Sequence, residues 1–112
     1  MEYTIQIYKK QDIIDFIDNF KKQNKQVLEK VFTEGNCYYF AIILKNRFPE
    51  ISIVYSQINN HFMCLYDNHI YDIFGDITNN VEVRDLYLWE TYKNVDFIDY
   101  SNVVKYCINL ER

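Results

Sequence analysis

The stretch "GNCYYFAIILKNRFP", residues 35–49, predicts the helix around which the rest of the fold is arranged. Gly35 interrupts the pattern before it, and Asn36 is a good N-cap because its side-chain oxygen can accept a bond from a free backbone N–H. Pro49 ends the helix near Arg47 or Phe48. A helix that is apolar on most sides is central to its domain. The residues predicted to form its inward stripe are Tyr39, Phe40, Ile43, Leu44 and Phe48.

Upstream of this helix the apolar residues also recur at helical spacing. Between residues 12 and 32, steps of three and four dominate. The polar stretch "KKQNKQ", residues 21–26, divides this region into two helices or interrupts one long helix. Residues 3–8, "YTIQIY", alternate and form a short strand or an extended arm.

Downstream of Pro49 the period changes from helical to alternating. Residues 51–58, "ISIVYSQI", are β-branched and aromatic and predict a strand. Residues 61–66 and 69–74 flank Asp67-Asn68, a pair typical of a hairpin turn. Together with the helices, these strands predict an α+β fold in which helices, including the central Cys-bearing one, pack on an antiparallel sheet.

The end of the chain is less determined by its pattern. Residues 76–80 form another turn, and residues 81–92 fit a helix or a strand. Residues 94–100 look extended, and residues 101–112 fit a capped helix or a last strand. At 112 residues, the whole chain, 1–112, is expected to form a single domain.

Composition and charge limit the classes of function. The net charge is −4 and no basic block is present, so nucleic acid is not an expected partner. No apolar run approaches the roughly 20 residues of a membrane helix, and the N-terminus lacks a signal-peptide pattern. We therefore expect a cytoplasmic protein without a membrane partner. Three cysteines at irregular spacing fit reduced thiols rather than a disulfide framework.

Cys37 stands in the first turn of the predicted central helix. The free N–H groups and the dipole at a helix N-terminus favour the thiolate, which is the nucleophilic form of cysteine. Tyr39 is predicted to face inward, and Tyr38 to lie at the rim beside Cys37. A thiol at this position is, taken alone, more often a packing residue than a nucleophile. The nucleophilic interpretation therefore needs a base and a group that orients the base.

His61 and Asp72 fit those two roles if the hairpin loop has two residues. Tyr66 then pairs with His69, and Met63 pairs with Asp72. Because side chains alternate along a strand, His61, Met63 and Asp72 would project from one face of the sheet. His61 and Asp72 become diagonal neighbours within reach of each other. A three-residue loop would turn Asp72 to the opposite face.

Other candidate sites are weaker. His61 and Cys64 lie three apart on a strand and point to opposite faces, so no metal site is expected. Cys64 and Cys107 are expected to be small core residues. Asp76 is an alternative to Asp72 as the orienting carboxylate. With two glycines in the chain, no glycine-rich phosphate loop is present, and no cofactor is expected.

Residues 35–76 resemble a known family. The segments "GNCYYFAIILKNRFP" and "HFMCLYDNHIYDIFG" are similar to small papain-like or transglutaminase-like cysteine proteins of bacterial mobile elements and phages. The resemblance implies a papain-like core in which Cys37 attacks a carbonyl, His61 is the base and Asp72 orients His61. Papain-like enzymes usually carry a Gln upstream of the Cys as an oxyanion donor. Here the nearest upstream Gln is Gln26, so the backbone N–H of Cys37 and one further donor are expected instead.

Two functional hypotheses follow. The first is a small cysteine hydrolase or acyl-transfer enzyme, of the amidase, peptidase or deamidase type, acting on a protein, peptide or amide substrate. The second is a non-catalytic binding or inhibitor protein on the same scaffold, such as a phage or mobile-element anti-defence protein. In that case the Tyr-rich segment "DLYLWETYKNVDFIDY", residues 85–100, would be the contact surface for a protein partner. The same segment also fits an amphipathic edge of the core.

Overall fold

The computed structural model describes residues 7–92 together with Val103 and Cys107. The described residues form four α-helices packed on a five-stranded antiparallel sheet, as the predicted α+β class requires. The helices are α1 (Lys10–Lys21), α2 (Lys25–Val31), α3 (Cys37–Arg47) and α4 (Trp89–Tyr92). The strands are β1 (Ser52–Ser56), β2 (His61–Tyr66), β3 (His69–Asp72), β4 (Gly75–Asp76) and β5 (Leu86–Leu88). None of the helices in these ranges is long and apolar enough to cross a membrane.

The polar stretch after residue 20 divides the N-terminal helical region into α1 and α2. Asn24 is the N-cap of α2, and its side-chain oxygen accepts a hydrogen bond from the backbone N–H of Val27 at 3.3 Å. Lys21, at the end of α1, is buried and pairs with Glu29 of α2 at 2.9 Å. The pair ties the two helices together. The two-helix alternative is therefore correct.

Helix α3 lies on the sheet and ends before Pro49, as predicted. Its buried side chains are Cys37, Phe40, Ala41 and Leu44, whereas Tyr39 and Ile43 are only partly buried. Asn36 is the N-cap residue, but its side chain does not cap the helix. Its amide group instead donates to the backbone oxygen of Val31 at 3.2 Å. The predicted cap was wrong because the buried amide satisfies a carbonyl at the end of α2.

The sheet has the strand order β4-β3-β2-β1-β5. Strands β1 to β4 form the predicted meander. Strand β5 returns to the other edge and pairs antiparallel with β1, with Tyr55 opposite Tyr87. Residues 81–92 thus contain a short 3-10 helix, a strand and the four-residue helix α4, where the pattern left helix and strand open.

Each face of the sheet has its own apolar cluster. On one face, Phe62 and Cys64 of β2 pack with Ile13, Ile17 and Leu44 of the helices. On the opposite face, a smaller cluster is centred on Val54, Met63 and Ile70.

The C-terminal predictions fall mostly on residues outside the described ranges. Val103 and Cys107 are helical and buried in the larger cluster, which agrees with the helical alternative at those two positions. The extended segment 94–100 lies outside the described residues. Trp89 is buried against Tyr55 and Phe62, so this side chain does not form the exposed contact surface considered for residues 85–100.

Candidate functional site

The hairpin between β2 and β3 has the predicted two-residue loop. Asp67 and Asn68 both adopt left-handed backbone angles, with φ of 49° and 61°. This is the geometry of a type I′ turn, which matches the twist of the flanking strands. Tyr66 pairs with His69, so the predicted register is confirmed.

This register places His61 and Asp72 side by side. The ring Nε2 of His61 lies 3.0 Å from Oδ2 of Asp72. Asp72 is buried, and its other oxygen accepts a hydrogen bond from the backbone N–H of Phe74 at 2.8 Å. Both carboxylate oxygens are therefore engaged, which fixes the orientation of the carboxylate and of the imidazole beside it.

Asp76, the alternative orienting carboxylate, belongs to a different cluster. Its Oδ2 lies 2.9 Å from the ring Nδ1 of His69 and 3.0 Å from the ammonium of Lys10. Its Oδ1 accepts a hydrogen bond from the backbone N–H of Thr78 at 2.9 Å. These hydrogen bonds hold the pKa of Asp76 well below its usual value, although burial opposes them. Asp72, not Asp76, is the carboxylate at His61.

Cys37 is the first residue of α3, and its sulfur lies next to His61 and to the backbone N–H of Phe62 in β2. The backbone N–H of Phe62 points at Sγ of Cys37 at 3.5 Å. His61 is also close enough to Cys37 to lower the pKa of the thiol. Because Nε2 of His61 is taken by Asp72, Nδ1 is the ring nitrogen left for the thiol. Cys37, His61 and Asp72 are thus neighbours in that order.

Cys107 is a fourth member of this cluster. Its thiol donates to the backbone oxygen of Asn60 at 3.0 Å, and Cys107 is the largest influence on the pKa of Cys37. Sequence reasoning placed Cys107 in the core, which is correct, but missed its contact with Cys37. No local pattern signals this contact, because it joins residues far apart in the chain.

The surroundings of Cys37 favour its thiolate. The hydrogen bond from Cys107 has the largest effect, and it lowers the pKa of Cys37, helped by the hydrogen bond and charge of His61. Burial opposes this, and the net pKa is about 5. Burial also pushes the pKa of His61 down, but the hydrogen bonds to Asp72 and Cys37 outweigh it and raise that pKa to about 9. Between these values the pair is a thiolate and an imidazolium.

A cavity of about 470 Å³ opens beside His61. His61 and Asp72 line it, together with Gly35, Asn60 and other neutral side chains. Its volume is in the usual range for small-molecule pockets. Cys37 is 2% exposed and does not line this cavity. The cluster therefore presents its imidazole and carboxylate to the cavity, with the sulfur beneath them.

The two tyrosines that follow Cys37 are both partly buried. The ring of Tyr38 packs against Phe62 and Trp89, and Tyr38 does not line the cavity. Tyr39, predicted to face inward, lies outside the residues of the larger apolar cluster. Gln26 is exposed on α2 and does not line the cavity, so it is not placed as an oxyanion donor.

His61 and Cys64 face opposite sides of the sheet, as the strand alternation predicts. The sulfur of Cys64 lies 3.5 Å from the backbone oxygen of Ala41 in α3, within the helix-side cluster. Burial raises the pKa of Cys64 well above its usual value, so this thiol is unreactive. Within the described ranges, no group of three His, Cys, Asp or Glu side chains is arranged to hold a metal ion.

The fold and the site together define a small α+β protein with a Cys-His-Asp cluster where the start of its central helix meets strands β2 and β3. Residues 13–108 match the family model of phage YunG-like proteins, so the chain belongs to that family. No curated protein and no solved structure shows significant similarity to it. The family membership supports the phage association that the sequence resemblance implied.

Proposed function

We propose that this protein is a small cysteine hydrolase or acyl-transfer enzyme with a papain-like or transglutaminase-like arrangement of Cys37, His61 and Asp72. The observation that carries the proposal is the hydrogen bond between His61 and Asp72 at 3.0 Å, with Cys37 beside His61. The three side chains have the order that nucleophilic catalysis requires, with a nucleophile, a base and a group that fixes the base. The substrate would be a protein, peptide or other amide. Three free thiols are compatible with action in a cytoplasm.

The chemistry begins with the thiolate of Cys37 attacking an amide carbonyl carbon. The carbonyl oxygen gains negative charge near the N-terminus of α3, where backbone N–H groups and the helix dipole favour an anion. His61, protonated at the start, gives its proton to the leaving nitrogen, and the amine departs. Water or another amine then attacks the acyl carbon, His61 takes the proton of the attacking group, the carbon-sulfur bond breaks, and Cys37 leaves as the thiolate.

Such a substrate would reach the site through the cavity beside His61. It is lined by neutral amide and apolar side chains around the imidazole and the Asp72 carboxylate. The sulfur of Cys37 is covered, and Cys107 lies against it. Attack therefore requires Cys107 to shift away from the sulfur as the carbonyl enters.

A test uses the purified full chain and a library of peptide amides, with release of ammonia or amine as the readout. An acyl-enzyme trapped by rapid acid quench is located by mass spectrometry of the Cys37 peptide. Replacing His61 by Ala should slow turnover by about 100-fold or more, a typical loss for a general acid-base group. Cys37→Ala should abolish it.

The matched control is Cys64→Ala, which removes a buried thiol on the same side of the sheet but outside the cluster. Its turnover should equal that of the unmodified protein. Circular dichroism establishes that each variant is folded. Turnover that persists in folded Cys37→Ala, or an acyl group found on Cys64, would refute the proposal.

The second candidate is a non-catalytic binding or inhibitor protein, of the kind that phages direct against host defence. The burial of Cys37 at 2% exposure favours it, because an open nucleophile is unnecessary for binding. The two candidates separate in one experiment. A catalytic thiol reacts with iodoacetamide selectively at Cys37 and more slowly in His61→Ala, whereas a binding protein shows equal sluggishness at all three thiols.

A further inference from the structure

Two of the three cysteine sulfurs meet at one short segment of the chain, at the start of β2. The backbone N–H of Phe62 lies against Sγ of Cys37 at 3.5 Å, and the backbone oxygen of Asn60 lies 3.0 Å from Sγ of Cys107. Each thiol is also the largest influence on the pKa of the other. Cys64, the third thiol, is turned to the backbone of α3 instead. In the proposed hydrolysis, the sulfur of Cys37 bonds to the substrate and that of Cys107 does not.

We propose that Cys37 and Cys107 are a modification site, at which hydrogen peroxide converts the two thiols into a reversible disulfide. Because both sulfurs lie against the backbone of Asn60 and Phe62, two residues apart, they have the proximity that thiol-disulfide chemistry requires. The inference does not depend on the hydrolase proposal, because it needs no acyl substrate.

The first step is attack by the Cys37 sulfur on one oxygen of the peroxide. A sulfur-oxygen bond forms, the oxygen-oxygen bond breaks, and the departing hydroxide takes the proton of the His61 imidazolium to become water. Cys37 becomes a sulfenic acid. Peroxide is small enough to enter through the cavity, whose wall includes Asn60 and His61.

The second step is attack by the Cys107 sulfur on the sulfur of Cys37. The sulfur-sulfur bond forms, the sulfur-oxygen bond breaks, and the hydroxide leaves as water with the Cys107 proton. Two thiols lose two electrons and one peroxide gains them. In the reduced protein, hydrogen bonding to Cys37 raises the pKa of the Cys107 thiol, the largest effect on it, and burial adds to this. Oxidation of Cys37 removes its thiolate charge, so Cys107 becomes easier to deprotonate for the second step.

The disulfide has two consequences for the site. It removes the Cys37 thiolate, so alkylation by iodoacetamide is lost until a reductant restores it. It also fixes Cys107 over the sulfur of Cys37, which closes the approach of any carbonyl. An enzyme built on Cys37 would be switched off reversibly, instead of being over-oxidised.

The test is peroxide titration of the reduced full chain, followed by intact mass and a non-reducing tryptic digest. We expect a loss of about 2 Da, a cross-linked peptide pair containing Cys37 and Cys107, and full reversal by dithiothreitol. Cys64→Ser, the matched control, should give the same mass loss. In Cys107→Ser we expect no mass loss, and a gain of about 16 Da at Cys37 that dimedone traps.

The wild-type digest decides the question even if Cys107→Ser does not fold. A link that includes Cys64, a dimer in place of the internal link, or no mass loss before Cys37 reaches the sulfinic acid would overturn the proposal. So would an absence of any reaction at Cys37. Each of these results leaves amide turnover to be measured separately on the reduced protein, so failure here is distinguishable from failure of the hydrolase proposal.

Discussion

Asp72→Asn tests the interaction between Asp72 and His61, which orients the imidazole of the Cys-His-Asp cluster. The substitution keeps the shape of the side chain but removes the negative charge that lies 3.0 Å from Nε2 of His61. A hydrogen bond to a charged group contributes about 1.5–3 kcal/mol. One pKa unit corresponds to about 1.36 kcal/mol, so the pKa of His61 should fall by about one to two units. In the unmodified protein that pKa is about 9.

The assay is a proton NMR titration of the imidazole ring signals. The chain has two histidines, so a His69→Gln variant assigns both rings. A second readout is the pH profile of iodoacetamide alkylation at Cys37. With its pKa lowered by one to two units, to about 7 to 8, His61 is still an imidazolium at pH 5, so the midpoint of that profile should stay near 5 and the reactivity of Cys37 should change only above about pH 7, where His61 loses its proton.

Asp76→Asn is the matched control, because it makes the same change at the neighbouring carboxylate. Asp76 contacts His69 and Lys10, not His61. It should leave both the His61 titration and the alkylation profile of Cys37 unchanged. An unshifted His61 titration in Asp72→Asn, or an equal shift in both variants, would refute the assignment of Asp72 as the orienting group.

Three further predictions concern stability. The first follows from the lowered pKa of Cys37, about 5, and the raised pKa of His61, about 9: relative to Cys37→Ala/His61→Ala, the free energy of unfolding should rise by about 2 kcal/mol from pH 5 to 6.5 and then stay level to pH 9. It stays level because, above pH 6.5, folding releases one proton from the thiol and takes one up on the imidazole. Urea titrations at half-unit pH steps measure this, and a steady fall above pH 6.5 would contradict it. Glu29→Ala leaves the buried ammonium of Lys21 unpaired and should cost about 3 kcal/mol by urea unfolding, whereas a loss below 1 kcal/mol would mean that the pair is dispensable. At Gly75, φ is +107° and an added Cβ would meet nothing within 4 Å. Gly75→Ala should therefore lower the free energy of unfolding by about 1–3 kcal/mol through backbone strain alone. Thermal unfolding measures this, and an unchanged melting temperature would contradict it.

The family match covers most of the chain, from residue 13 to residue 108, and so extends beyond the segment 35–76 that carried the sequence resemblance. The Cys-His-Asp order within that segment is what points to cysteine chemistry. The disulfide proposal adds Cys107, which lies outside it. Peroxide sensitivity and amide turnover can therefore be measured as two separate properties of one sulfur.

The sequence alone determined the features that depend on local spacing and turn chemistry. Helix α3 follows from apolar residues at helical steps and from Pro49, and its observed end agrees. The hairpin register follows from Asp67-Asn68, because both residues tolerate positive φ and a two-residue loop allows one pairing. The register in turn placed His61 and Asp72 on one face of the sheet.

Only the tertiary structure decided the features that join distant parts of the chain. Cys107 and Asn60 lie 47 residues apart in sequence, and nothing near either one signals that they meet. The pattern predicts that the side chain of Asn36 caps α3, but in the folded protein its amide donates a hydrogen bond to the backbone carbonyl of Val31. Local patterns report which residues face a common side, whereas the identity of a buried partner depends on how helices and strands pack. That packing brings Cys107 onto Cys37 and leaves His61 beside the cavity.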